Sequence, residues 1–464
     1  MKYISTRGGA KPSSFTDILL SGLAPDGGLF VPERWASLDL PSLAGKGYTD
    51  IAEAVIYPSV EGDISRSDLR TLLDDTYTPE IFGSPEITPL RQLADDFYLL
   101  DLFNGPTLAF KDVALQFLGR LFDHVLEKSG QHLTIVGATS GDTGSAAIEA
   151  CRGRKNITVH ILHPHNRTSA VQRKQMTTVL DDNIHNIALE GTFDDCQSIV
   201  KQAFADPALR ERNIAAINSI NWARIIAQSV YYVATCLRLG ATKDSSVDFA
   251  VPTGNFGNVY AGYVAQNMEA PVGHLVIGSN RNDILTRFFE SGSMNSETVV
   301  PSLSPSMDIQ VSSNFERYLF DLMGRDPAQV SATMADFAKT GTYKIAGALH
   351  EKAKRQFSAY RCTDDQTLAV IRDVFEKTGE LIDPHTAVGV HAARQYRAES
   401  GGRARPLVAL ACAHPAKFPD AVAKATGQTP PLPAHLADLM QRPERLTVLP
   451  NDFARVKAHI LGCP

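Results

Sequence analysis

The sequence predicts an α/β protein built on largely parallel sheets, with a helical unit in front. Three observations lead there. From Leu133 onward short apolar runs alternate with helix-like patterns, which is the signature of strands joined by crossover helices. Two of the strand-to-helix junctions, Gly137–Gly144 (GATSGDTG) and Pro252–Asn258 (PTGNFGN), are rich in glycine and small polar residues. Residues 1 to about 90 carry helical periodicity instead of this alternation.

Taken in order, the helical unit contains one ordered-looking loop, Gly22–Pro32 (GLAPDGGLFVP), whose Pro25, Asp26, Gly27 and Gly28 signal tight turns. Its simplest reading is a turn that locks one segment to the next. The link Phe82-Gly83-Ser84-Pro85 leads to a short strand, Phe97–Leu102, and then to a helix starting at Lys111 and running to about Glu127. Leu133–Val136 is a buried strand; after GATSGDTG comes the helix Ser145–Cys151. Ile157–Leu162 is the next strand, and His163–Lys174 reads as a basic loop entering a helix. Ile184–Leu189 is a strand, after which Thr192 or Asp194 can cap a helix. A long helix spans Trp222–Leu237, and the strands Val247–Val251, His274–Ile277 and Leu407–Leu410 follow.

A chain of 464 residues exceeds one compact core, so two or three domains are expected. The expected division is 1–90, a mostly helical domain; 91–127 with 245–464, a large α/β domain; and 128–244, a small α/β domain. Hydrophobic content of 44% with 21% charge is ordinary for a globular protein. A formal net charge of -6 with no dense basic run argues against nucleic acid as a partner. No apolar stretch reaches the length of a membrane span, and no apolar signal core follows Met1, so a cytoplasmic home is expected. The 6 cysteines show no CxxC and the histidines no HExxH. Free thiols in a reducing compartment fit that pattern, and no metal site is expected.

The chemistry centres on Gly105–Asp112 (GPTLAFKD), which sets Lys111 after an apolar run at the head of an apolar helix. Burial strips hydration from an ammonium and lowers its pKa, and only the neutral amine attacks an aldehyde. Alone, Lys111 reads equally as a lysine that snorkels to water. The two glycine-rich junctions add weight, because such turns aim backbone N–H groups at one spot and bind anions. Neither ends in GK[ST] and neither gives GxGxxG, so triphosphate and dinucleotide loops are disfavoured. One pocket for a cofactor phosphate, one for a substrate carboxylate and an amine for an aldehyde together point to pyridoxal phosphate.

These motifs, with Ala413–Phe418 (AHPAKF), resemble the threonine synthase family of the longer type found in bacteria and yeast. The resemblance covers most of the chain, including Gly22–Pro32, Ser219–Arg224 (SINWAR), Ser312–Arg317 (SSNFER) and Asp383–Gly389 (DPHTAVG). It implies fold type II of the pyridoxal-phosphate enzymes: two open, mostly parallel sheets with flanking helices, a helical N-terminal domain, and the cofactor in the cleft between the sheets. Lys111 matches the Schiff-base lysine, and Gly254, Asn255, Phe256, Gly257 and Asn258 match the cofactor-phosphate loop. The resemblance suggests that Thr139, Ser140, Gly141 and Thr143 receive the substrate carboxylate. Asp142 then lies beside the cofactor's phenolic oxygen. Cys412 stands where the family usually has a threonine facing the pyridine nitrogen, and a thiol is the weaker donor.

The reaction implied is that of O-phospho-L-homoserine with water, giving L-threonine and phosphate. Lys111 would serve as the base at Cα and again at Cβ. The substrate phosphate needs its own anion site; Arg281, after a strand end, is the candidate, whereas Arg173 and Lys174 read better as a solvated basic face. Trp222, Tyr231 and Tyr232 read as core; His163, His165 and His414 as loop hydrogen-bonders. Asp383 and His385 have no role assignable from sequence. Two alternatives stay open: a phospho-lyase releasing 2-oxobutyrate, and an inactive relative that binds an amino acid or phosphate. Monomer and homodimer are both compatible with the sequence.

Overall fold

The computed structural model describes residues 1–400 and 405–463; residues 401–404 and 464, which fall in the expected 245–464 domain, lie outside it. The chain divides into two compact units, Met1–Asn104 with Ser219–Pro430, and Gly105–Asn218 with Pro431–Pro464.

The first unit is built on a six-stranded sheet in the order Phe357–Arg361, Val272–Ser279, Val247–Pro252, Leu407–Ala411, Phe97–Asp101, Leu90–Ala94. All neighbours run parallel except the last pair. The strand Val247–Pro252 is buried along its whole length, as a central parallel strand covered on both faces must be. Helix Pro384–Glu399 packs on four of these strands. Its glycine in DPHTAVG is required there, since a Cβ on Gly389 would meet Pro252 Cγ at 2.9 Å.

The N-terminal segment is helical as expected, but it does not stand alone. Helix Tyr48–Val60 packs on Trp222–Arg238, and the Tyr3 ring lies 6.0 Å from that of Trp222. The end of the GLAPDGGLFVP loop is a strand, Phe30–Pro32, paired antiparallel with Tyr3–Ser5. The sequence pattern did not show this pair because each strand has only three residues.

The second unit holds a five-stranded, fully parallel sheet in the order Thr447–Pro450, Ile184–Glu190, Ile157–Pro164, Leu133–Ala138, Ile214–Ala215. Helices Lys111–Ser129 and Asp142–Cys151 pack against each other so closely that a Cβ on Gly119 would fall 2.1 Å from the Ala150 carbonyl oxygen. The latter helix starts three residues before the expected Ser145, on a Gly141 with φ 147°. Thr192, not Asp194, caps Phe193–Ala205, in a capping box with Asp195.

The units therefore differ from the division expected from sequence. The Lys111 helix groups with Asp142–Cys151 instead of with 245–464, and residues 431–464 contribute the edge strand Thr447–Pro450 to the small sheet. Trp222–Arg238 and the N-terminal helices belong with the large sheet. Among the described residues no helix is long and apolar enough to cross a membrane.

Candidate active site

In the second unit, GPTLAFKD is braced from within. Asp112 accepts the Thr107 N–H at 2.8 Å and the Thr107 hydroxyl at 2.6 Å. Gly105 makes room for this, since a Cβ there would sit 2.4 Å from Asp112 Cβ. Leu108 is held at φ 62°, a conformation that costs a non-glycine residue about 1–3 kcal/mol and persists only under such bracing. The result delivers Lys111, 6% exposed, to the first position of a buried helix.

Lys111 Nζ donates to Asp142 Oδ2 at 3.2 Å, and Gln172 Nε2 donates to Asp142 Oδ1 at 2.8 Å. Both carboxylate oxygens are thus engaged, and the plane of Asp142 is set. The GATSGDTG turn is closed by Thr139, whose hydroxyl accepts the N–H groups of Gly141 and Gly144, each at 2.9 Å. Thr139 therefore shapes the turn. Ser140 is exposed at its apex, and Thr143 lies half-buried in the first turn of the helix.

In the first unit, PTGNFGN leads into helix Gly257–Asn267 through Phe256 at φ 60°, and no side chain caps that helix. Its first-turn N–H groups form a positive helix end of the kind that holds phosphate. Gly254 is needed because a Cβ would meet Ile309 Cδ1 at 2.9 Å. The loop is clamped by SSNFER: Ser312 Oγ donates to Gly254 O at 2.7 Å, and Asn314 donates to Asn255 O through its N–H at 3.1 Å and Nδ2 at 3.0 Å.

Behind the clamp lies Arg317, fully buried, its pKa pushed down to about 10 by desolvation. Its guanidinium donates to Phe30 O at 2.9 Å, to Ile220 O at 2.6 Å and to Asn314 Oδ1. One arginine thus ties GLAPDGGLFVP and SINWAR to the loop clamp. The tyrosine pair does more than fill the core, because the hydroxyls of Tyr231 and Tyr232 both donate to Asn258 Oδ1. That orients Asn258 Nδ2, which is buried with no hydrogen-bond partner among the described residues.

DPHTAVG acquires a physical role as well. Asp383 caps its helix and accepts from His385 Nδ1 at 2.7 Å and from the Thr386 hydroxyl. His385 Nε2 accepts the Ser306 N–H at 3.2 Å, so Nε2 is the acceptor and Nδ1 the donor of this ring. Thr386 Oγ1 in turn accepts the Cys412 N–H at 3.2 Å, holding the backbone of buried Cys412 at the end of its strand.

Arg173, Lys174 and His163 lie in other surroundings than expected, and Arg281 follows its strand end as expected. Arg281 has a 48% exposed side chain and faces Asp364 at 3.8 Å. Arg173 and Lys174 are ion-paired with Glu444 at 3.0 and 3.4 Å, so neither is a free anion site nor simply solvated. His163 lies in the strand Ile157–Pro164 and is buried, not in a loop. His414 does hydrogen-bond locally, accepting the Ala416 N–H at 3.2 Å.

Arg224, inside SINWAR, is the residue sequence reasoning passed over. It is 3% exposed, its Nε has no hydrogen-bond partner, and no carboxylate pairs with it among the described residues. Desolvation pushes its pKa down to about 10. A buried guanidinium without a counter-charge is costly unless an anion joins it.

Three family models match the chain: "Threonine synthase N terminus" over residues 2–77, "Pyridoxal-phosphate dependent enzyme" over 81–412 and "Threonine synthase, C-terminal" over 386–460. The chain is 53% identical to the threonine synthase of Pseudomonas aeruginosa, over 99% of this chain and 98% of that one. Among solved structures, it is similar to the pyridoxal-phosphate-bound threonine synthase of Brucella melitensis, with TM-score 0.95 and 47% identity over 99% and 98% of the two chains. The yeast threonine synthase gives TM-score 0.94 and 38% identity over the same shares. This protein belongs to the threonine synthase family of pyridoxal-phosphate dependent enzymes.

Proposed function

We propose that this protein is a cytoplasmic threonine synthase, converting O-phospho-L-homoserine and water to L-threonine and phosphate. The carrying observation is the buried Lys111 with its amine 3.2 Å from a doubly anchored Asp142. A merely structural lysine does not need a strained approach through Leu108 to hold it inside the fold. None of the six cysteines is in a disulfide, which supports a reducing compartment.

The residues present fit pyridoxal phosphate. The uncapped helix at Gly257, the crowded Gly254 and the orphaned Asn258 amide suit its phosphate loop, and Lys111 suits its aldehyde. Lys111, Gly254, Asn255, Phe256, Gly257 and Asn258 would hold the group, with Asp142 near its phenolic oxygen and Cys412 near its ring nitrogen. When bound, it supplies an electron sink that lets the bond from Cα to hydrogen ionise.

The chain's own residues then divide the work. Lys111, as the neutral amine, takes the proton from Cα and returns protons later in the sequence. Asp142, fixed by Gln172, keeps that amine oriented. Ser140, Gly141 and Thr143 receive the substrate carboxylate at the helix N-terminus, on a turn that Thr139 closes. Arg224 binds the phosphate that leaves Cγ, in place of Arg281, because it is a buried cation whose Nε has no partner and which no carboxylate pairs with among the described residues. Water adds at Cβ.

The test is Lys111→Ala, assayed for visible absorbance after cofactor loading and for phosphate release. Loss of both, with an unchanged fold, is expected; phosphate release at the wild-type rate would end the assignment.

A further inference from the structure

The small sheet carries a second cluster that the reaction does not use. In the pairing of Ile157–Pro164 with Ile184–Glu190, His160 sits directly opposite His185. Their rings stack at 4.7 Å between centroids with planes 16° apart. Helix Phe453–Gly462 joins the same core, with Val456 and Ile460 among Leu162, Ile187 and Leu189. Its last turn sets the His459 ring edge-on to both histidines, at 6.2 and 6.3 Å. Four residues on, Cys463 Sγ lies 3.7 Å from His185 Nδ1.

His160 is 1% exposed, and both His160 Nδ1 and His185 Nε2 are buried with no hydrogen-bond partner among the described residues. An orphaned ring nitrogen gives up the hydrogen bond it made to water and gains none in return. Among the described residues no acid pairs with these stacked imidazoles, which leaves them no evident polar reason to be there. One donor atom from each of His160, His185 and Cys463 lies within 4.8 Å of the others.

We propose that His160, His185 and Cys463 form a binding site for a divalent late first-row transition metal of the zinc class. Two imidazoles and a thiolate are the donor set such ions select. Bond lengths of about 2.3 Å to sulfur and about 2.0–2.1 Å to nitrogen put tetrahedral ligand atoms roughly 3.6 Å apart. The Cys463–His185 pair, at 3.7 Å, already meets that spacing. A ring rotation at His160 closes the third position and leaves the fourth for water. The Cys463 thiol, which now donates to His459 O at 3.2 Å, releases its proton to solvent as the metal–sulfur bond forms. The bound ion pins the last turn of Phe453–Gly462 to two neighbouring strands. The ligands share no short motif; only the strand register brings them together.

The test uses the full-length, cofactor-loaded protein freed of metal by chelation and titrated with Zn²⁺ against a chromophoric chelator. Wild type takes up one equivalent at micromolar or lower free Zn²⁺, and Cys463→Ser and His185→Gln each bind at least about tenfold more weakly. Zn²⁺ raises the melting temperature of wild type and not of Cys463→Ser. X-ray absorption at the zinc edge of the wild type reads one sulfur at about 2.3 Å. No saturable uptake by wild type, uptake equal in the variants, or a zinc shell without sulfur overturns the proposal.

Discussion

Lys111 and Asp142, 31 residues apart, meet at 3.2 Å inside one unit, with the far oxygen of the carboxylate held by Gln172 at 2.8 Å. The pair joins two helices whose packing is set by Gly119 against Ala150. Position of the amine is thereby a property of a packed core, not of a mobile side chain.

Gln172→Ala leaves Asp142 with one oxygen unheld. A hydrogen bond to a charged group is worth about 1.5–3 kcal/mol. If most of that appears in the barrier, kcat falls roughly 10- to 150-fold. Cofactor content stays at the wild-type level. Steady-state kinetics with cofactor content measured alongside checks this; an unchanged kcat removes Gln172 from the account.

Arg224→Met separates function from stability. Replacing a buried guanidinium that no carboxylate pairs with among the described residues by an apolar side chain of similar length is expected to be neutral or stabilising. Loss of the phosphate contact, about 1.5–3 kcal/mol, lowers kcat/KM roughly 10- to 150-fold. A raised or equal melting temperature with low activity is the expected pair of readings. A large drop in melting temperature with full activity in the folded fraction marks Arg224 as structural instead.

Gly119→Ala is predicted to be the reverse case. A Cβ 2.1 Å from a backbone oxygen forces the Lys111 helix off Asp142–Cys151. Overpacking of this sort costs about 1–3 kcal/mol, and displacement of Lys111 lowers kcat as well. Denaturant unfolding and turnover of the same preparation read both effects.

Acid stability of the small unit should depend on Glu444. Burial alone would raise its carboxyl, but the Thr177 hydroxyl and the Arg173 and Lys174 charges outweigh this and hold it below the ordinary glutamate value. A folded pKa below the unfolded one gives stability that is present above the unfolded pKa and is lost as pH falls through the folded value. The loss therefore falls below pH about 4.5, the ordinary glutamate value. Glu444→Gln removes this acid-side slope and costs about 1 kcal/mol at neutral pH, the scale of a partly exposed pair. Urea melts from pH 3 to 7 compare the two proteins; parallel curves would show that Glu444 carries no such linkage.

What the sequence made legible was local. Lys111 and the PTGNFGN loop sit in contiguous motifs, and strand–helix alternation suffices for two parallel sheets. The domain division was not legible, because it turns on which helix packs on which, and that depends on single contacts such as Gly119 with Ala150. Gln172 could not be found from spacing, since it reaches Asp142 from a helix 30 residues away. Arg224 stood in a motif already noticed, yet the unpartnered Nε and the missing carboxylate among the described residues are tertiary facts. Arg281 was favoured for following a strand end, and the structure sets it at the surface beside Asp364. The tyrosine pair and DPHTAVG read as core and as unexplained; both turn out to orient neighbours, Asn258 and Cys412, through hydroxyls that a one-dimensional pattern cannot aim.

The central claim is tested most directly by product analysis of the purified, cofactor-loaded protein with O-phospho-L-homoserine. Threonine and phosphate in equal amounts are predicted. Phosphate with 2-oxobutyrate would contradict the synthase and leave a phospho-lyase on the same site, and no phosphate from cofactor-loaded protein would contradict the substrate itself.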